Sequence, residues 1–128
     1  MTASAGTFRP AERGVPMPHA WTSEGVVVEC DFTGAHLLHL AVAGCVLNDL
    51  YREARELGVD LAGARVVASG AFDTGTWTST GIHYRVDLDT QADPEDVRRL
   101  LARVDEVAEI PRAIRAGAAV QRVEVARS

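Results

Sequence analysis

No lysine occurs anywhere in this chain of 128 residues; all thirteen basic residues are arginine. A Schiff-base or pyridoxal-phosphate anchor and a P-loop lysine are therefore excluded. Cysteine is almost as scarce. Cys30 and Cys45 stand alone, without a CxxC pair or a Cys/His cluster, so no zinc site is expected, and neither is any other metal or cofactor. The longest apolar run, Ala35 to Leu47, has 13 residues and two histidines inside it, too short to span a bilayer. The first twenty residues carry Pro10, Arg13, Pro16 and Pro18 rather than an apolar h-region, so no signal peptide is expected. The expected compartment is the cytoplasm, where reducing conditions exclude a permanent Cys30–Cys45 bridge. With a net charge of -5 and no basic patch, nucleic acid is not an expected partner, and neither is a membrane.

What is present is an ordinary globular composition. Hydrophobic residues make up 47% and charged residues 24%, and 128 residues suffice for one domain with its own core. Residues 1–20, rich in Pro, Ala, Gly and Arg, read as an irregular N-terminal arm, and 21–128 as a single domain. Trp21 to Cys30 reads as a strand. Thr33 is then the N-cap of a long helix over Ala35 to Leu57, and Gly58 is its natural C′ residue. The first half of that helix is apolar all round and the second half is wet on one side.

Ala64 to Phe72 is a second strand. A turn over Asp73 to Thr76 follows, and then the clearest strand, Ser79 to Leu88. There Ile82, Tyr84, Val86 and Leu88 share one face while His83, Arg85, Asp87 and Asp89 share the other. Asp93 and Pro94 start a helix that runs to about Ala108. A short helix over Pro111 to Ala116 ends at Gly117, and Val120 to Val125 reads as a closing strand. Strands grouped away from helices argue for the α+β class, with an antiparallel sheet packed on the long central helix. A sheet this small covers such a helix on one side, so the other side is expected to pack on a second copy of the chain.

Cys45 lies at the centre of the apolar half-helix. It is either inert packing or a reactive thiol. Asp49, one turn on, would raise its pKa; Arg52, two turns on, would oppose that weakly. His36 and His39 share a helix side, which makes half a metal site with no third ligand in view. His39 stands about 120° round the helix from Cys45, so it is no direct base within its own chain. Cys30, ending a strand, is a candidate alternative thiol or a half-buried strand residue.

The run Leu37-Leu38, Leu40-Ala41, Ala43-Gly44-Cys45 opens the long helix. Arg55 to Val59 leads into a strand, Pro94-Glu95 to Leu101 follows, and Ile110-Pro111 precedes the closing strand. In this order and spacing, over roughly residues 25 to 126, the chain resembles the OsmC/Ohr family (osmotically inducible protein C and organic hydroperoxide resistance proteins). That resemblance implies an intertwined α+β homodimer with active sites at the subunit interface. It also implies a peroxidatic cysteine in the central helix, the place Cys45 holds. The family's thiolate attacks an organic hydroperoxide, and the sulfenic acid condenses with a second cysteine. Here the second cysteine's place, before a proline late in the chain, is Ile110. The glutamate ten residues before the first cysteine is Ala35. For the activating arginine of the N-terminal region, Arg9 and Arg13 are the candidates.

Two functions follow. In the first, Cys45 reduces organic hydroperoxides alone, and an external thiol reductant completes the cycle. In the second, an OsmC-like dimer binds or processes a small apolar molecule in an interface pocket, without peroxidase activity.

Overall fold

The computed structural model describes residues 1–123. Five strands form one antiparallel sheet: β1 (Thr2–Gly6), β2 (Val15–His19), β3 (Thr22–Glu29), β4 (Gly63–Phe72) and β5 (Ser79–Asp89), in the spatial order β2-β3-β1-β4-β5. The helices are α1 (Gly34–Leu57), α2 (Pro94–Val107) and α3 (Glu109–Ala116). α1 lies across one face of the sheet, over β1 and β4, and α2 and α3 close on it from outside. This is the α+β arrangement expected from the sequence, with its antiparallel sheet on a long helix.

The first twenty residues correct the expectation of an irregular arm. They hold the central strand β1 and the edge strand β2. β1 reads Thr-Ala-Ser-Ala-Gly, with Thr2 as its one β-branched residue and no aromatic to mark a strand. Its small residues have a packing cause. Ala3, Ala5, Ala64, Ala68 and Ala43 of α1 are all buried, so helix and sheet meet through alanines. β2 carries Pro16 and Pro18, and an edge strand tolerates proline because one side of its ladder is unpaired. The closing strand expected over Val120 to Val125 does not form over residues 120–123, which are irregular; residues 124 and 125 lie outside the described part.

The ends of α1 are where its sequence puts them. Thr33 Oγ1 accepts the His36 amide at 3.1 Å, and Gly58 closes the helix at φ 69°. Its burial pattern differs from the expected one. Ala35, Leu37 and Ala41 of the apolar first half are exposed in the single chain. In the charged second half Asp49 and Glu53 are buried, because α2 and α3 cover it. Glu53 is held there by Arg52 at 3.0 Å and by Arg103 of α2 at 2.9 Å.

Candidate functional site

Cys45 sits on the flank of α1 that meets the start of α3. It is partly exposed and unbridged. Burial pushes its thiol pKa above the ordinary value of 9.0, and the carboxylates of Asp49 and Glu109 push the same way. The backbone N–H groups of Ile110 and Glu109 oppose them, because they interact with the sulfur. No side chain caps α3 at this end, so its first amides and its positive pole face the thiol. Ile110 therefore lies beside Cys45, 65 positions away in sequence.

The other candidates do not converge on that sulfur. Among the described residues, no arginine is among the charges acting on Cys45. Arg9 faces Glu24 at 3.9 Å, with its Nε buried and unpartnered. Arg13 is engaged by Glu29 at 2.5 Å, on the exposed surface. Cys30 is exposed before the start of α1, and its thiol donates to the Asp31 carbonyl. The eleven residues from Gly34 to Cys45 rise about 16 Å along the helix, which separates the two sulfurs within one chain. His36 pairs with Thr33 at the helix cap. His39 is buried, and its Nδ1 lies in hydrogen-bond contact with the Ala35 carbonyl. Among the described residues, no group of three or more His, Cys, Asp and Glu side chains is placed to hold a metal ion.

Asp49 does stand where the spacing put it. Its side chain is 3% exposed, with Arg52 at 3.2 Å and the Asn48 amide at 3.1 Å. Burial outweighs both partners and raises its carboxyl above the ordinary 3.8. Asn48 leads on to a residue the sequence reading missed. His19, at the end of β2, has Nε2 3.0 Å from Asn48 Oδ1 and Nδ1 2.9 Å from Thr22 Oγ1, and its ring meets Tyr51 edge-on. A polar line thus runs from the sheet edge through His19, Asn48 and Asp49 to Arg52, alongside Cys45. A signal for it exists in the sequence: Asn48-Asp49 in mid-helix is unfavourable for helix formation and asks for partners.

The fold and this site can be set beside known proteins. Residues 29–122 match the family model described as OsmC-like protein. No curated protein matches the sequence. Among solved structures, an OsmC like protein from Mycoplasma pneumoniae superposes with a TM-score of 0.62 at 12% identity, over 68% of this chain and 64% of that one. This chain thus spans slightly under two thirds of that relative. An OsmC-like hydroperoxide resistance protein from Jannaschia sp. CCS1 superposes with a TM-score of 0.55 at 16% identity, over 80% of this chain and 75% of that one. At these identities the structures speak for the fold, and the family model, which takes in most of the chain including Cys45 and the α3 start, speaks for descent: the chain belongs to the OsmC-like protein family.

Proposed function

We propose that the protein is a thiol-dependent peroxidase of the OsmC-like kind, working through Cys45 alone. The observation that carries this is the placing of a partly exposed thiol against the amides that open α3. Those amides favour the thiolate, and the developing negative charge of an attacked peroxide oxygen would meet the same positive pole. The thiolate sulfur attacks one oxygen of ROOH, the O–O bond breaks, and ROH leaves after taking a proton from solvent. Sulfur is oxidised by two electrons to the sulfenic acid. With isoleucine at position 110, no second cysteine stands beside it. An external thiol attacks the sulfenic sulfur, releasing water and forming a mixed disulfide. A second external thiol then releases Cys45 as the free thiol, and the two external sulfurs leave as a disulfide.

The working form is a homodimer joined through the outer flank of α1. Leu37 is 40% exposed and Phe32 88% exposed, and Ala41 is open one turn on from Leu37. Such exposed apolar side chains are what a second copy would bury. A dimer would also help activation, since among the described residues of the same chain no cation opposes Asp49 and Glu109 at the sulfur.

The test is oxidation at stoichiometric organic hydroperoxide, read by a sulfenic-acid probe and intact mass. One probe adduct should form per chain. Cys45→Ser should abolish it, and Cys30→Ser should leave it. Absence of any Cys45 oxidation would overturn this reading. The second reading, a dimer that binds a small apolar molecule without peroxidase activity, would then lead. It is favoured by the raised thiol pKa and the two carboxylates beside it.

A further inference from the structure

The function proposed above gives His19 no part, yet the ring is fixed at both of its nitrogens. His19 closes β2 and pairs with Thr22 across the turn to β3. Nδ1 stands 2.9 Å from Thr22 Oγ1, and Nε2 stands 3.0 Å from Asn48 Oδ1 on α1. The Tyr51 ring meets the imidazole edge-on. An edge strand is thereby tied to the helix that carries Cys45.

These contacts have a direction. The Asn48 amide presents Nδ2 to Asp49 Oδ1 at 3.1 Å, so its oxygen faces His19. A carboxylate can only accept, and an amide turned the other way would set oxygen against oxygen at Asp49. With the amide held in this sense, His19 Nε2 must carry a proton, since Asn48 Oδ1 has none to give. The Thr22 hydroxyl is nearer to Nδ1 than to the Gly25 carbonyl at 3.3 Å, and it donates to Nδ1 of the neutral ring. The line therefore runs from Thr22 O–H to His19 Nδ1, from His19 Nε2–H to Asn48 Oδ1, and from Asn48 Nδ2–H to Asp49. Every donor points toward the carboxylate, and hydrogen bonds in such a chain polarise one another.

Asp49 needs that support. Its side chain is 3% exposed, and burial disfavours the charged form. The Asn48 hydrogen bond is the largest influence that opposes burial, ahead of Arg52 at 3.2 Å on the same oxygen. The carboxylates of Glu109 on α3 and Glu53 on α1 act the other way. Cys45 lies one turn back on the same side of α1. Of the two carboxylates that act on its thiol, Asp49 comes before Glu109.

We propose that His19 is a positioning residue for Cys45: by donating from Nε2 it fixes the Asn48 amide, the amide holds Asp49 as a carboxylate, and the carboxylate sets how readily the thiol reacts. His19 acts through Asn48 and makes no hydrogen bond to Asp49 or Cys45. Without the imidazole the amide is free to turn. Its oxygen then accepts the O–H of a protonated Asp49, and the carboxylate loses its charge at a higher pH. The inference rests on the reading of Cys45 as the reactive thiol, and not on which oxidant that thiol meets.

The test is disulfide exchange of Cys45 with 2,2′-dithiodipyridine, followed from about pH 4 to 8 in the full chain carrying Cys30→Ser. The thiolate attacks one sulfur of the reagent, the S–S bond breaks, and one pyridine-2-thione leaves. The rate with Asp49→Asn divided by the rate without it follows the Asp49 charge. That ratio should be roughly threefold at neutral pH and fall to one as Asp49 takes up its proton. In the presence of His19→Leu the midpoint of the fall should move upward by about 0.5 to 1 pH unit. His19→Gln, whose amide still has a proton to donate to Asn48, should restore the parent midpoint. Beside Asp49→Asn, His19→Leu should leave the rate unchanged. A midpoint that His19→Leu does not move would overturn the proposal, as would an effect of His19→Leu that persists beside Asp49→Asn. If His19→Leu does not fold, the parent decides. Nitrogen-15 NMR should find the His19 proton on Nε2, and a proton on Nδ1 alone would overturn the direction of the line. A Cys45 that exchanges with the reagent but is not oxidised by hydroperoxide would sink the peroxidase reading and leave this one standing; an unmoved midpoint does the reverse.

Discussion

Replacing Ile110 by cysteine tests the fold and the site together. The Ile110 amide interacts with the Cys45 thiol, so the two residues are already neighbours. A disulfide needs Cα atoms within about 7 Å and Cβ atoms facing each other. In Ile110→Cys with Cys30→Ser, mild oxidation should remove two free thiols together and leave the mass two hydrogens lighter. The bond would close a loop of 65 positions. On the chain-entropy model a loop of that length is worth about 4 kcal/mol, an upper figure because native strain subtracts from it. Urea titrations of the oxidised and reduced variant give the difference directly. At the midpoint slope of a domain this size, it should move the transition by roughly 2 M. The oxidised variant should also be inert to a sulfenic-acid probe, since its sulfur is no longer free. If the variant keeps two independent thiols under stoichiometric peroxide, α3 does not start where Cys45 can reach it. The peroxidase reading would then lose the contact that supports it.

Other outcomes follow from single contacts. The raised thiol pKa means that Cys45 keeps its proton at neutral pH, so iodoacetamide labelling should still be accelerating as pH climbs through 9.0. Because the folded value is the higher one, the thiol's contribution to stability is complete below about pH 9 and lost as pH rises through the folded value. Asp49→Asn removes one charge that holds the thiol up, and labelling at pH 7 should speed up roughly threefold. Glu53 is held below its ordinary 4.5, first by Arg52 and then by Arg103. Its stabilisation is therefore present above pH 4.5 and fades as pH falls through the lowered value. Glu53→Ala should cost about 1 to 2 kcal/mol in urea at pH 7, screened by the half-exposed Arg103. Trp77→Gly relieves a left-handed φ and should raise stability by about 1 kcal/mol in urea titration; a loss of stability would mean that the backbone there is not strained. Sedimentation at micromolar concentration should show a dimer, whose interface would bury more than about 2,000 Å² in total.

The fold was legible wherever local chemistry carried it. Thr33 and Gly58 bound α1, Asp93 and Pro94 open α2, and the alternation from Ile82 to Leu88 is β5. It was illegible where tertiary packing overrode propensity. β1 is the central strand, yet only Thr2 in it favours a strand; its alanines are chosen by the nearness of α1. β2 hid behind two prolines that only an edge position allows. These two strands lie before residue 29, where the family match begins, so the resemblance did not reach them either.

The surroundings of Cys45 were legible along its own helix and not beyond it. Helix spacing alone put Asp49 one turn from Cys45, and the sign of its effect on the thiol followed from charge. The neighbours that matter most come from other elements and carry no local mark. Ile110 and Glu109 act through backbone amides, which have no sequence signature, and His19 reaches Asn48 across 29 positions. The same limit separates the two histidines of α1. His36 and His39 look equivalent on a helical wheel, but one is a capping residue beside Thr33 and the other is a buried acceptor without a donor. What distinguishes them is Gly70 on β4, where the missing side chain makes room for one ring nitrogen. Gly70→Ala should therefore be costly at a partly open strand end, by about 1 to 3 kcal/mol, because either the imidazole or the β5 backbone has to move. If the imidazole moves, the His39 ring proton signals shift in NMR relative to the parent. If β5 moves, the Gly81 amide signal shifts and the His39 ring signals stay. A Gly70→Ala protein as stable as the parent would show that the ring is not seated there at all.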